Sequence, residues 1–277
     1  VNAIFIKELL YKTKNGILYN HIVKSLKDFW QNKLLKSKDI IYTETENIEL
    51  RNQLDSINEV RMRPLISGKK TVGTLISFEN GFKYMSNKSE SIKILYSSVN
   101  HFIFQPCTDS TLIIIHLFLK KPIIINKKSH QHIQFYKEVL SESEHIGDKH
   151  KNKKIIDEEL KNHYNTMFIN FITKIQNKNS SIKFDSPFEE SSFYGSITNN
   201  TCELFLTPEA IVSLTEHPFL VSFPNELELV ALERTDVKLR NFDLVLINRN
   251  FDLPPTIISN IERQNLQTIK SWFEYFY

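Results

Sequence analysis

Apolar positions recur along this chain at two different periods, and the change of period divides it. Leu18, Ile22, Leu26, Phe29, Trp30 and Leu34 fall on one stripe with Lys24, Lys27, Asp28 and Lys33 opposite, which predicts an amphipathic helix. Ala3–Leu10 before it fits a strand or a first helical turn equally. Leu50, Leu54 and Ile57 continue with a second, short helical pattern, after which Pro64 restricts Arg63 to extended geometry. From Val60 the period becomes two. Strands are expected at Val60–Ile66, Val72–Phe78, Phe82–Met85, Ile92–Tyr96, Val99–Gln105, Leu112–Phe118 and Pro122–Ile125, at the even spacing of a β-sandwich or barrel. Asn80-Gly81 between two such runs predicts a tight hairpin, because both central residues of a type I′ turn need positive φ.

The charged stretch Ser141–Lys154 reads as a loop, and Leu160, Tyr164, Met167, Phe168, Phe171 and Ile175 then mark a helix of about four turns. A second set of strands is expected near Ser192–Ile197, Glu203–Leu206, Ala210–Leu214, Leu220–Phe223, Leu227–Leu232, Leu244–Asn248 and Thr256–Ser259, with prolines confined to their ends. Leu266, Ile269, Trp272, Phe273 and Phe276 predict a closing helix. Strands followed by one helix therefore occur twice, the plan of a small β-barrel whose open end is capped by a C-terminal helix. The expected fold is mainly β with α: tandem pleckstrin-homology-like barrels behind an N-terminal helical extension. The expected divisions are 1–58 for the extension, 59–178 for the first module and 185–277 for the second. The break falls between Gln176 and Pro187, after the polar run Asn177-Lys178-Asn179-Ser180-Ser181.

Composition narrows the function classes. With 277 residues, 41% hydrophobic, 20 Phe and 10 Tyr, the chain can bury two cores. Lys and Arg number 35 against 32 Asp and Glu, so a polyanionic partner would have to be met by a local patch. Two distant cysteines, Cys107 and Cys202, suit a reducing compartment. The longest apolar run, Leu112–Leu119, is far short of a membrane helix and reads as a buried strand. The start at Val1, without a signal-peptide pattern, suggests a fragment of a longer protein.

Six glycines, none in a phosphate-cradling arrangement, disfavour nucleotide chemistry. His130-x-His132 lacks the further ligands of a zinc site, no GxSxG elbow surrounds a serine, and His116 reads as a core histidine. No catalytic residue, metal or cofactor is expected. Two patterns remain as binding candidates. Lys69 with Lys70, Lys120 with Lys121, and Lys127 with Lys128 sit at strand ends or turns and could contact DNA or another anion, or serve as solvated edge lysines. In Pro224–Arg234, alternation places Glu226 and Glu228 on one face, opposite Leu227, Leu229 and Ala231, an acidic strip that would steer a cationic partner.

The run Arg63–Leu75 (RPLISGKKTVGTL), with Asn80–Tyr84 (NGFKY), resembles the middle domain of the large subunit of the FACT histone chaperone. The resemblance continues through Phe102–Cys107, His116–Ile124, Gln134–Val139, Asn241–Val245 and Ile269–Trp272, and covers roughly Phe5 to Tyr277. It implies two pleckstrin-homology-like modules in tandem and a non-enzymatic role at nuclear chromatin. The implied partners are core histones, chiefly the central tetramer. The smaller FACT subunit would be met through other parts of the full protein, and DNA at most weakly. Ser141–Lys154 departs from the family, carrying Lys and His where a more acidic linker is expected. A different class, a phosphoinositide-binding membrane adaptor using Lys69 and Lys70, is the alternative that the fold alone would permit.

Overall fold

The computed structural model describes residues 24–25, 48–66, 71–88, 90–108, 110–139, 150–188 and 191–276. The chain divides into two compact units, Val1–Thr43 and Glu44–Tyr277. The N-terminal helix expected from Leu18 lies outside the described residues except for Lys24 and Ser25, which are helical. Ala3–Leu10 lies outside them entirely.

The first sheet contains β1 (Gln53–Arg63), β2 (Val72–Phe78), β3 (Gly81–Ser86), β4 (Ser91–Leu95), β5 (Val99–Gln105), β6 (Leu112–Ile125), β7 (Lys128–Glu138) and the two-residue β8 (Phe184–Asp185). Their order is β4-β3-β2-β1-β7-β6-β5-β8, antiparallel except where β8 joins β5 in parallel. Helix α1 (His150–Lys178) lays the predicted stripe on it, with Phe168, Phe171 and Ile175 fully buried against Leu75, Phe82, Ile115 and Phe135. Phe171 stacks on Phe82 at 6.3 Å between ring centroids. Each such side chain contributes about 1.5–3 kcal/mol through burial, which holds the helix on the sheet.

Three expectations need correction here. The helical pattern at Leu50, Leu54 and Ile57 is wrong, since residues 48–52 are not helical and Gln53–Arg63 is one strand. Register shifts at Gln53/Asp55 and Ile57/Val60, with Glu59 at φ 59°, put Leu54, Ile57 and Val60 all against the core, and that spacing of three mimics a helix. The two runs Leu112–Phe118 and Pro122–Ile125 are one 14-residue strand, and Lys128–Glu138, which had no predicted strand, is its hairpin partner. The helix begins by His150, inside the stretch expected to be a loop; 140–149 lie outside the described residues.

The hairpin at Asn80-Gly81 exists, but its turn is centred on Glu79 and Asn80, and neither is in the left-handed region. Gly81 is required instead by close approach, because a Cβ there would stand 2.5 Å from the Ile94 carbonyl oxygen of β4. The positive-φ turn pairs are Asn126-Lys127 between β6 and β7, and Thr198-Asn199 in the second module.

The second sheet contains β9 (Ser192–Ile197), β10 (Asn200–Leu206), β11 (Ile211–Ser213), β12 (Leu220–Ser222), β13 (Leu227–Glu233), β14 (Asn241–Asn248) and β15 (Thr256–Glu262). They match the seven predicted strands closely, in the order β12-β11-β10-β9-β15-β14-β13. Helix α2 (Leu266–Glu274) closes this core with Ile269 and Phe273 buried and Leu266 and Trp272 half-buried. The architecture is thus a tandem of curled sheets, each followed by the helix that caps it, as expected.

Candidate partner-binding surfaces

A third apolar cluster, made of residues from both modules, joins the two sheets. Ile103, Ile114 and Tyr136 of the first module pack with Ala210, Val212, Leu214 and Phe223 of the second. Polar groups pin both ends of this seam. At one end the Arg63 guanidinium lies 4.2 Å from the centre of the Tyr136 ring and donates to the Thr215 carbonyl at 2.9 Å, while Gln134 donates its amide to the Leu214 carbonyl at 2.7 Å. At the other end the buried Asp185 carboxylate accepts the Thr207 hydroxyl, and His101 Nε2 lies 3.2 Å from it. His101 Nδ1 is 3.4 Å from Glu209. The Thr207 carbonyl in turn accepts the Trp272 indole N–H at 2.9 Å. The hydroxyl donates to the carboxylate rather than to the imidazole, so this trio holds elements in place and activates no nucleophile.

His116 sits fully buried beside the seam, its Nε2 3.0 Å from His132 Nδ1 and its ring edge-on to Phe219. Burial pushes His116 well below the usual histidine range and His132 down to about 4, helped by the His217 charge, so both are neutral near pH 7. His116 is therefore a core histidine, as its position in an apolar strand predicts. Among the described residues no three His, Cys, Asp or Glu side chains are grouped to hold a metal.

The acidic segment is arranged differently from simple alternation. Glu226 ends a 3-10 turn, Pro224–Glu226, and is exposed, while its carbonyl accepts the Arg249 amide at 2.8 Å. Glu228 is exposed on β13 with Arg249 Nε 3.9 Å from its carboxylate. A register shift between Leu227 and Leu229 inverts the faces that follow. Leu227 is 3% exposed and Leu229 is 53% exposed, so the expectation of Leu229 in the core is corrected: Val230 and Leu232 take the inward positions. Leu229 instead pairs with Ile247 on the outer face beside Glu228.

Of the basic pairs, Lys69 and Lys70 lie outside the described residues. Lys120 and Lys121 are exposed midway along β6, and Lys127 and Lys128 are exposed at the β6–β7 turn. The fold brings Lys120 next to cations that sequence reasoning did not single out. Arg51, Lys178 and Lys183 share one cleft with it, whereas Lys121, Lys127 and Lys128 do not line it. The only signal available in the sequence was the polar run 177–181, which contains Lys178 and ends two residues before Lys183.

Residues 55–175 match the FACT complex subunit SPT16 PH-like domain, and residues 195–275 match the histone chaperone Rttp106-like middle domain. The FACT complex subunit spt16 of Aspergillus oryzae is 29% identical over 294 residues, covering 99% of this chain and 28% of the relative. The corresponding subunit of Emericella nidulans is 30% identical, covering 99% and 29%. FACT complex subunit spt-16 of Caenorhabditis elegans is 32% identical over 231 residues, covering 80% and 22%. The chain thus spans less than a third of the length of these curated relatives.

Proposed function

The chain belongs to the SPT16 family of FACT complex subunits, through an SPT16 PH-like domain at 55–175 and an Rttp106-like middle domain at 195–275, and on that premise we propose that it is a non-enzymatic histone-binding module. It works at nuclear chromatin in nucleosome disassembly and reassembly. The observation that carries this reading is the placement of the two matches end to end, one on each capped sheet. The second of them is itself named for a histone chaperone. These matches favour the chaperone reading over the membrane-adaptor alternative. The folding modules are 59–178, extended back to Gln53 by β1, and 185–277.

The partners are core histones, chiefly the central tetramer, with the smaller FACT subunit engaged by other parts of the full protein. Glu226 and Glu228 are the candidate histone contacts, and their exposure beside Leu229 supports a surface that offers charge and apolar area together. Lys121, Lys127 and Lys128 remain candidate anion contacts at the opposite charge. Titration of the chain against the histone tetramer and the outer histone dimer, with salt varied, tests the reading. Tetramer preference that weakens with salt is expected; no binding to either would overturn it. Replacing Glu226 and Glu228 by Lys should weaken binding several-fold at low salt and much less at high salt, since salt screens exposed charge. Equal affinity of both proteins across the salt series would remove the pair from the contact surface.

A further inference from the structure

We infer that the cavity between the modules at the Gln105 end of β5 is a receptor for one arginine side chain of a partner protein. The cavity measures about 380 Å³. Its walls come from both modules and the link between them: Gln105 and Pro106 at the end of β5, Pro187 and Phe188 in the link, and Glu203 and Phe205 of β10. Among the described residues no lysine, arginine or histidine lines it, while Glu203 brings a carboxylate. The site lies apart from Glu226 and Glu228 and rests on the histone reading only for the identity of the protein that carries the arginine.

Gln105 carries the inference. Alternation along β5 sends Phe102 and Phe104 into the core of the first module and His101, Ile103 and Gln105 toward the second. His101 meets Asp185 there, and Ile103 packs in the seam cluster. Gln105 is only 3% exposed, yet its Oε1 is buried with no hydrogen-bond donor. Leaving a buried acceptor unmatched costs about 1–3 kcal/mol, which a ligand N–H would recover. Neighbouring hydroxyls do not serve it: Ser110 donates to the Leu112 carbonyl at 3.2 Å, and Ser191 to the Phe188 carbonyl at 2.8 Å. The Phe188 amide in turn donates to the Leu206 carbonyl at 3.0 Å, which fixes the backbone from which its 47% exposed ring projects.

The chemistry selects the ligand. An apolar side chain would leave the Gln105 oxygen unmatched, and a carboxylate would meet Glu203 as a like charge. A cation with several donors and an apolar stem satisfies every wall. Between the two cationic side chains, the guanidinium is the better match. Its planar fork directs five N–H groups outward, enough for acceptors contributed by two modules, and its face stacks on an aromatic ring such as Phe188 or Phe205. A lysine ammonium is more strongly hydrated and gathers its three donors on one atom, so it loses more on entering a cavity walled by proline and phenylalanine.

The test uses the whole chain and three blocked tripeptides, acetyl-Gly-Arg-Gly-amide and its lysine and citrulline counterparts, followed by saturation-transfer NMR. The arginine peptide should bind with a Kd of order 1 mM, and the citrulline peptide, which keeps the shape without the charge, about tenfold or more weaker. Gln105→Met and Glu203→Gln should each weaken the arginine peptide by about tenfold. Gln105→Met should leave the Tm equal to or above that of the parent, because it removes the unmatched oxygen and keeps the volume. Glu226→Lys with Glu228→Lys should bind the arginine peptide as the parent does. Equal binding of the citrulline or lysine peptide would overturn the proposal, as would arginine binding unchanged in both cavity variants, or a lowered Tm in Gln105→Met without loss of arginine. Arginine binding by a chain that binds no histone would support the cavity and overturn the histone reading; histone binding by a chain that ignores the arginine peptide would do the reverse.

Discussion

Trp272→Ala tests whether the closing helix and the seam between the modules are one mechanical unit. The indole is half-buried, meets Phe273 and Phe276 edge-on at 4.9 Å each, and donates its N–H to the Thr207 carbonyl. Truncating a fully buried tryptophan costs about 3–5 kcal/mol, and partial burial places this one near the lower end. The lost hydrogen bond, about 1 kcal/mol, falls within that figure but leaves the carbonyl of a fully buried residue without its donor. A loss of about 3 kcal/mol corresponds to a fall in Tm of about 6–12 °C for a unit of this size. Trp272→Phe keeps most of the ring and should lose about 1–1.5 kcal/mol. Thr207 also donates to Asp185 of the linking strand, so the alanine variant should be cleaved faster by protease near residues 177–187. Thermal unfolding followed by circular dichroism, with a histone titration of both variants, reads the outcome. A Tm within about 2 °C of the parent together with lost histone binding would refute the reasoning and make Trp272 an exposed contact.

The bulge in β13 predicts opposite outcomes for two leucines that simple alternation would place together. Leu227→Ala, at a 3% exposed site, should cost about 2–5 kcal/mol, whereas Leu229→Ser should change the Tm by no more than a few degrees; similar losses in both would mean the register shift is absent in solution. Acid should weaken the seam. His132 is held at about 4 and His116 well below its ordinary value, chiefly by burial, so the unfolded chain binds more protons between pH 6.5 and 4. This contribution is fully present above about 6.5 and is lost as the pH falls toward 4, with His132 alone accounting for on the order of 3 kcal/mol. Tm measured from pH 7.5 to 5 should fall, and less steeply in His132→Gln; identical slopes in the two proteins would place the effect elsewhere.

Local pattern determined much of this protein. The stripes Leu160–Ile175 and Leu266–Phe273 and the seven strands of the second module were legible because one face of each element meets a core and the other meets water, which imposes period 3.6 or 2 directly on the sequence. His116 was legible as core for the same reason. The tertiary structure decided the features that alternation cannot encode. Bulges at Ile57/Val60 and Leu227/Leu229 each add one residue to a strand, so Leu54, Ile57 and Val60 imitate a helix and Leu229 turns outward. The tight approach of Gly81 to Ile94 and the left-handed turn at Asn126-Lys127 depend on which strands become neighbours. The seam and the basic cleft lie further still from the sequence, because they join residues far apart in the chain: Arg63 with Thr215, Asp185 with His101, and Arg51 with Lys120 and Lys183. A local period records whether a residue faces in or out, but the charge and polar partners it meets there are set by strand order and by the packing of one module on the other.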